Sequence, residues 1–250
     1  MNILMTGMQG FIGTHLKNRL FLKGNNITGY DTKIGKDISD FKLTADTDLV
    51  IHLAAFADVR ASIENPNKYW RNNVNYTTKI QKECHRKSVP LLYASSSCVH
   101  AWHKSPYGIS KKVNEETALE RQVGLRFTTV FGKGARDTML IPRILRNDVP
   151  YVNTNHWRDF IHVDDVCSAI NTLISSTESI VPFGDVIDIG TGEIHKLTDI
   201  LQYFKIDTKE KLADESERIL NKANISFLKS LGWSPEVNLR KYITKNRRTN

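Results

Sequence analysis

The sequence predicts an α/β fold: a doubly wound parallel sheet with a small, reduced C-terminal lobe. Three observations predict it. Short apolar runs alternate with segments of helical period along most of the chain. A glycine-rich turn joins the first run to the first helix. Beyond Ile189 only short helical segments remain, too few to extend the sheet.

The elements follow in order. Asn2–Thr6 is an apolar strand that ends at a glycine turn, and Phe11–Leu22 carries Phe11, Ile12, Leu16 and Leu20 at helical spacing. Asn26–Tyr30 reads as a strand, and Leu49–Leu53 is the unbroken apolar run expected of a strand covered on both faces. A helix follows from Pro66 to Lys87, then a strand over Val89–Ser95, a helix over Pro106–Arg121 and a strand over Val123–Val130. Val163–Ser175 is a helix and Asp185–Ile189 the last strand; His195–Phe204 and Asn224–Leu231 are short helices. Strand–helix alternation of this kind implies parallel pairing with right-handed crossovers.

The bulk composition sets bounds. The chain has 250 residues, 40% of them hydrophobic and 25% charged, which suits one folded core with a small appended lobe. A net charge of +8 favours anionic partners, but the lysines are dispersed and form no stripe, so nucleic acid is not expected. The densest basic run, Lys241–Arg248, reads as a solvated chain end. Cys84, Cys98 and Cys167 form no CxxC pair and no metal-ligand spacing, which points to free thiols, no metal and a cytoplasmic setting. No apolar run approaches the ~20 residues of a membrane span, and residues 2 to 6 already read as a core strand rather than a leader.

The first turn, Thr6-Gly7-Met8-Gln9-Gly10-Phe11-Ile12-Gly13, follows a strand and opens a helix, the context a dinucleotide loop requires. Gly7 permits the tight turn, Gly10 lets a pyrophosphate approach the backbone, and Gly13 allows close packing of the helix. The helix N-terminus at Phe11 and Ile12 stabilises the phosphate charge. Asp31 ends the second strand, where a carboxylate accepts hydrogen bonds from an adenosine ribose and repels a 2′-phosphate. NAD is therefore expected over NADP, although Lys33 stands nearby. The whole unit reads as a Rossmann-type cofactor domain.

The chemical centre follows the fourth strand. Tyr107 comes eleven residues after Ser96, and Lys111 lies one helical turn beyond Tyr107 on the same face. A phenol of ordinary pKa is a poor base, and an adjacent ammonium with a cationic nicotinamide favours its phenolate. This assigns Tyr107 as acid/base, Lys111 as the charge that lowers its pKa and holds the cofactor ribose, and Ser96 as the group that orients the substrate hydroxyl.

These motifs resemble the extended short-chain dehydrogenase/reductase family, in its nucleotide-sugar epimerase/dehydratase branch, and within it the UDP-galactose 4-epimerases. Residues 6–13 (TGMQGFIG), 52–66 (HLAAFADVRASIENP), 105–111 (SPYGISK), 126–132 (RFTTVFG), 158–165 (RDFIHVDD), 188–193 (DIGTGE) and 231–235 (LGWSP) carry the resemblance across nearly the whole chain. It implies that Leu53, Ala54, Ala55 and Asn73 line the cofactor, and that Arg158 contacts a substrate diphosphate. Guanidinium geometry suits that role. Ser97, Cys98, Thr129 and Arg218 are expected on the substrate side. The implied organisation is an NAD-binding domain of residues 1–130 with 159–190, and a substrate-binding lobe of residues 131–158 with 191–250. The implied partner is a nucleotide-diphosphate sugar, and the resemblance also implies a homodimer through the helix after strand three and the active helix.

The departures from the pattern fall on the substrate side. The Ser96–Tyr107 loop and the Lys111–Arg126 stretch are short, Thr129 replaces an asparagine, and Leu212 stands where the branch has an arginine that Arg218 could replace. Dehydratases and decarboxylases carry a carboxylate two residues after the serine; here that position is Cys98. Without it the residue set supports C4 epimerisation through a transient 4-keto sugar. Two alternatives stay open. One is a keto-sugar-nucleotide reductase or epimerase-reductase, because residues 96–100 (SSCVH) resemble the GDP-fucose synthases, whose cysteine is an acid/base. The histidine partner of that family is missing ahead of Ile141-Pro142, so Cys98 reads first as a small buried residue. The other is a non-catalytic dinucleotide-binding protein. His52 and His162 read as packed structural residues, Asp164 as a helix cap, and Trp157 and Trp233 as packing residues.

Overall fold

The computed structural model describes residues 1–176 and 185–248. Residues 177–184 and 249–250, which the expected domain ranges include, lie outside the described residues. In chain order the elements are β1 (Asn2–Thr6), α1 (Phe11–Leu22), β2 (Asn26–Tyr30), β3 (Leu49–His52), α2 (Val59–Glu64), α3 (Pro66–Tyr69), α4 (Tyr76–Arg86), β4 (Leu91–Ser96), α5 (Pro106–Glu116), β5 (Gln122–Phe127), β6 (Thr129–Phe131), α6 (Leu140–Leu145) and β7 (Tyr151–Asn153). They continue with β8 (Trp157–Arg158), β9 (Phe160–His162), α7 (Val163–Ser175), β10 (Val186–Ile189), β11 (His195–Lys196), α8 (Leu197–Tyr203), β12 (Lys209–Lys211), β13 (Leu220–Asn221), α9 (Ser226–Ser230) and α10 (Leu239–Asn246).

Six strands form one parallel sheet in the order β2-β1-β3-β4-β5-β10, with helices on both faces, a Rossmann-like arrangement. All four residues of β3 are buried, which explains its unbroken apolar run. The order reverses between β1 and β3, so the first βα turn opens at the switch point where such sheets bind ligands. Among the described residues no strand pairs with the outer edge of β2. Where a fuller sheet places another strand, the chain makes only two 3₁₀ turns, Thr32–Ile34 and Ile38–Asp40, before returning to β3. A cavity of about 730 Å³ lies along that flank, lined by Thr28, Tyr30, Lys36, Phe41, Lys42 and Lys79 among others.

Several sequence expectations need correction. The helix expected over Pro66–Lys87 contains a π segment at Trp70–Asn75 that buries Asn73 and Val74. The active helix stops at Glu116 rather than Arg121, because β5 begins at Gln122 and the connection turns through Arg121 at φ +63°. The strand expected over Val123–Val130 breaks at Thr128. Up to Phe127 the chain pairs with β10; from Thr129 it pairs with β9, so it changes sheets. The basic end is a helix: α10 buries Leu239 and Ile243 one turn apart and points its cations outward. His162, not Asp164, caps α7, its Nδ1 accepting from the Asp164 N–H at 3.2 Å. Trp233 is buried, whereas Trp157 is exposed.

The core lies in distinct clusters. The main one joins β1, β3, β5, α1 and α7. A second packs Phe131, Ile141, Val152, Ile200 and Ile243 of the expected lobe with Phe160 of the expected cofactor domain. Not every residue assigned to the lobe packs there: Ala223, Ile225, Leu228 and Trp233 join the main core. Buried carboxylates tie the pieces together. Asp159 accepts from the backbone N–H groups of Thr191, Gly192 and Ala223 and from the Thr191 hydroxyl. Asp165 accepts from those of Glu236 and Val237. No helix among the described residues is long and apolar enough to cross a membrane.

Candidate active site

The glycine turn is built as a cradle. Gly7 sits at φ +70°, and a Cβ there would lie 2.7 Å from the Ala54 nitrogen. A Cβ on Gly13 would overlap the Gly7 carbonyl oxygen, so α1 starts directly beneath the turn. No side chain caps α1 and its first turn holds no acid, so the helix start presents N–H groups and positive dipole to an anion. The Asp31 carboxylate braces the turn, accepting from Gln9 N at 2.8 Å and Lys33 N at 2.9 Å. The Lys33 ammonium is committed to the Gln9 carbonyl at 3.0 Å. This donor set fits a dinucleotide.

The opposite wall is the chain after β3. The Thr6 hydroxyl accepts from the Ala54 N–H at 3.1 Å and shares a hydrogen bond with His52 Nδ1 at 2.6 Å, while His52 Nε2 pairs with the Thr77 hydroxyl at 2.9 Å. Burial, with the charge of Lys111 second, pushes the His52 imidazole down to about 3, so it is a neutral strut. Asn73 is fully buried; its side chain bonds both the N–H and the carbonyl of Phe56 and reaches Ser110 at 3.2 Å. Its bonds therefore position the Leu53–Phe56 wall, a difference from the expected direct contact with a cofactor.

The candidate reacting group comes from β4 and α5. Ser105 caps α5 through the Gly108 N–H, and Pro106 occupies the first turn, where no N–H is needed. This aims the buried Tyr107 at the strand end, where the Ser96 hydroxyl hydrogen-bonds its phenol. Lys111 is buried one turn on, donating to the Ala94 carbonyl at 2.7 Å with its nitrogen 6.0 Å from the Tyr107 ring centre. Burial lowers the Lys111 ammonium to about 8. The Tyr107 phenol is pushed up, mainly by burial and next by Cys98; Ser96 and the Arg136 guanidinium oppose this. The Lys111 ammonium donates to the Ala94 carbonyl, and the Ser96 bond and Arg136 are influences that lower the Tyr107 phenol.

Four of the five expected substrate-side residues converge near this pair. Arg218 donates to the Ser97 carbonyl at 2.7 Å. Arg158 donates to the carbonyls of Trp157 and Ile219 and stands 2.9 Å from His156 Nδ1. Cys98 is half-buried rather than a core residue, and its sulfur is close enough to Tyr107, Arg158 and Arg218 to influence all three. Thr129 stands apart: its N–H bonds the Asp159 carbonyl at the start of β6, and no side-chain bond joins it to the others.

Several neighbours escape sequence reading. Arg60 bonds Glu217 at 2.6 Å and the Tyr151 hydroxyl at 2.6 Å. Glu217 also lies 3.9 Å from Arg158. Arg136 bonds Asp58 and the Ala57 carbonyl beside Tyr107. For Arg60 and Arg136 the signal was an arginine within or just after a motif already singled out; Glu217 lies in none of them.

Comparison with known proteins follows the geometry. Residues 3–190 match the family described as "NAD dependent epimerase/dehydratase family". A putative UDP-glucose 4-epimerase of Methanocaldococcus jannaschii is 28% identical, covering 97% of this chain and 96% of that protein. The structure of MoeE5 in complex with UDP-glucose and NAD superposes with a TM-score of 0.84 at 27% identity, covering 98% of this chain and 97% of that one. A mutant UDP-glucuronic acid 4-epimerase from Bacillus cereus, bound to a fluorinated UDP-glucuronic acid and NAD, gives 0.84 at 25% identity, covering 98% and 99%.

Proposed function

We propose, from the premise that this chain belongs to the NAD-dependent epimerase/dehydratase family, that it is a nucleotide-sugar 4-epimerase working with NAD. The observation that carries this reading is the Ser96–Tyr107 hydroxyl pair at the strand end beside the glycine cradle, with Cys98 where a dehydrating member would have a carboxylate. NAD, when bound, supplies the hydride acceptor and returns the hydride. Tyr107 takes the proton from the sugar 4-hydroxyl and gives it back, Ser96 orients that oxygen, and Lys111 holds the cofactor ribose. The cradle of Gly7, Gly10, Phe11, Ile12 and Gly13 takes the pyrophosphate, Asp31 the adenosine ribose, and the wall of Leu53, Ala54 and Ala55, braced by Asn73, lies along the cofactor.

On the substrate side, Arg158 and Arg218 form the diphosphate site beside Ser97 and Cys98, with Thr129 at its margin. Relatives named for UDP-glucose and UDP-glucuronic acid support a UDP-hexose or UDP-hexuronate substrate. Arg136, an exposed cation beside Tyr107, favours the acidic sugar. Three free thiols accord with a cytoplasmic setting.

A second reading has one specific observation behind it: Cys98 stands in the site and not in the core. That position suits an epimerase-reductase.

Proton NMR of the protein with UDP-glucose or UDP-glucuronic acid and a trace of NAD tests both readings. A new anomeric signal with NAD catalytic is the expected result. Tyr107→Phe is expected to lower turnover by ~10³-fold or more while the protein still binds NAD. Consumption of stoichiometric NAD(P)H with a keto-sugar, and no epimer without it, would replace the first reading with the second.

A further inference from the structure

Behind the reacting pair lies a buried charged cluster that the reading above does not use. Glu115 stands one turn after Lys111 on α5, and its side chain is 5% exposed. Arg126 of β5 grips it with two bonds, Nε at 2.8 Å and Nη2 at 2.7 Å. Its Oε1 also accepts from the Ser95 hydroxyl at 2.5 Å. Ser95 is flanked by the two residues on which the site depends. Ala94 offers the carbonyl that holds Lys111, and Ser96 offers the hydroxyl that meets Tyr107.

We propose that Glu115 is a positioning residue of the reaction: clamped by Arg126, it fixes Ser95 and so sets the strand end that presents Ser96 to Tyr107 and the Ala94 carbonyl to Lys111. The inference rests on the epimerase reading for its consequence in turnover, and on geometry alone for the clamp. A buried carboxylate gripped at both oxygens by one guanidinium is rigid, and a rigid support keeps a donor and acceptor in register. A buried ion pair adds little net stability over apolar packing, so this one is better explained by what it holds in place.

The carboxylate acts on charge as well as shape. Burial draws the Lys111 ammonium down to about 8, and Glu115 is the group that opposes it. Other groups face this pair from every neighbouring element. His52 of β3 feels Lys111, Tyr107 stands on the same helix, and Tyr93 of β4 and His100 of the following turn face Glu115. Asp188 of β10 faces Arg126. His52 is neutral and Tyr93 is held protonated by burial, so Glu115 is the acidic neighbour whose charge bears on Lys111.

The test uses Glu115→Gln, which keeps the shape and removes the charge, and Glu115→Asp, which keeps the charge on a shorter arm. The first readout needs no substrate: NMR titration of ¹³C-lysine-labelled protein, with the Lys111 signal assigned through Lys111→Met. In Glu115→Gln the Lys111 midpoint is expected to fall by about one pH unit or more, and in Glu115→Asp to stay near that of the unaltered protein. The second readout is the pH profile of turnover. Its alkaline limb is expected to move to lower pH in Glu115→Gln, with kcat down ~10-fold or more, the KM for the nucleotide sugar nearly unchanged, and the limb restored in Glu115→Asp. An unmoved Lys111 midpoint with only a lower Tm overturns the proposal and leaves Glu115 a structural residue. A shifted midpoint in a protein that turns over no sugar upholds the clamp and overturns the epimerase reading instead.

Discussion

Replacing Gly7 by alanine separates two costs that usually arrive together. Gly7 is at φ +70°, and a Cβ there would stand 2.7 Å from Ala54 N and 2.9 Å from Ala54 Cα and Leu53 C, all backbone atoms that no rotamer change can move. Gly24 supplies the control: it has φ +80°, but nothing lies within 4 Å of its would-be Cβ. Gly24→Ala therefore carries only the left-handed backbone cost, ~1–2 kcal/mol. Gly7→Ala carries that plus a contact term, an overpacking cost of ~1–3 kcal/mol. The entropy that alanine removes from the unfolded chain is common to both and cancels in the difference. At ~2–4 °C per kcal/mol for a chain this size, Gly24→Ala is expected to lower Tm by ~2–8 °C, and Gly7→Ala by several degrees more. The contact also pushes Leu53 and Ala54 off the cofactor path. A loss of only ~1.4 kcal/mol there is tenfold in affinity, so Gly7→Ala is expected to weaken NAD by ~10-fold or more while Gly24→Ala leaves it unchanged. Scanning calorimetry and NAD titration give both numbers. Equal Tm losses with equal NAD affinity would refute the contact argument and leave φ as the whole effect.

Two further outcomes follow from buried bases. Lys111 drops from an ordinary 10.5 to about 8 on burial, so the folded chain binds this proton less tightly than the unfolded one. The penalty is full below pH 8 and is relieved as pH rises toward 10.5. Lys111→Met is expected to be inactive yet more resistant to urea at pH 7, by up to about 3 kcal/mol less ~1 kcal/mol for the lost bond to Ala94. That advantage should shrink toward pH 10, and a pH-independent difference would refute it. His52 and His156, drawn by burial to about 3 and about 4, hold stability that is complete above pH 6.5 and lost as pH falls toward those values. Urea midpoints between pH 7 and 5 are expected to show uptake of about two protons on unfolding from these groups, reduced by one in His52→Gln; an unchanged slope in that variant counts against the assignment.

What the sequence disclosed was local. The β1–turn–α1–β2 unit was legible because the glycine spacing, apolar period and Asp31 lie within one short stretch and answer to one geometry. The placement of Ser96, Tyr107 and Lys111 together was legible for the same reason, a strand end followed by one helical turn. The helix end at Glu116 was not, since residues 117–121 (TALER) favour helix and only the start of β5 ends it. The strand break at Thr128 was hidden because both halves are apolar and the change of partner is tertiary. The basic run after Leu239 concealed a two-residue apolar stripe that needs the lobe to bury it. Arg60, Arg136 and Glu217 came to light only in three dimensions. Their partners lie 59 to 157 residues away, beyond any periodic signal.

The Asp159 carboxylate bears on whether this protein divides. It sits between β8 and β9 with no exposed surface, and its donors come from Thr191, Gly192 and Ala223. A polypeptide ending at Gly190 would contain every strand of the main sheet. It would also lose the backbone donors of Asp159 and four residues of the main core, Ala223, Ile225, Leu228 and Trp233. The residues beyond Gly190 are thus part of what holds the main sheet together, through the donors to Asp159 and Asp165 and through shared core packing. The two halves should melt in one transition, and recombining this cofactor unit with a foreign lobe would require the incoming chain to bring its own backbone donors to Asp159.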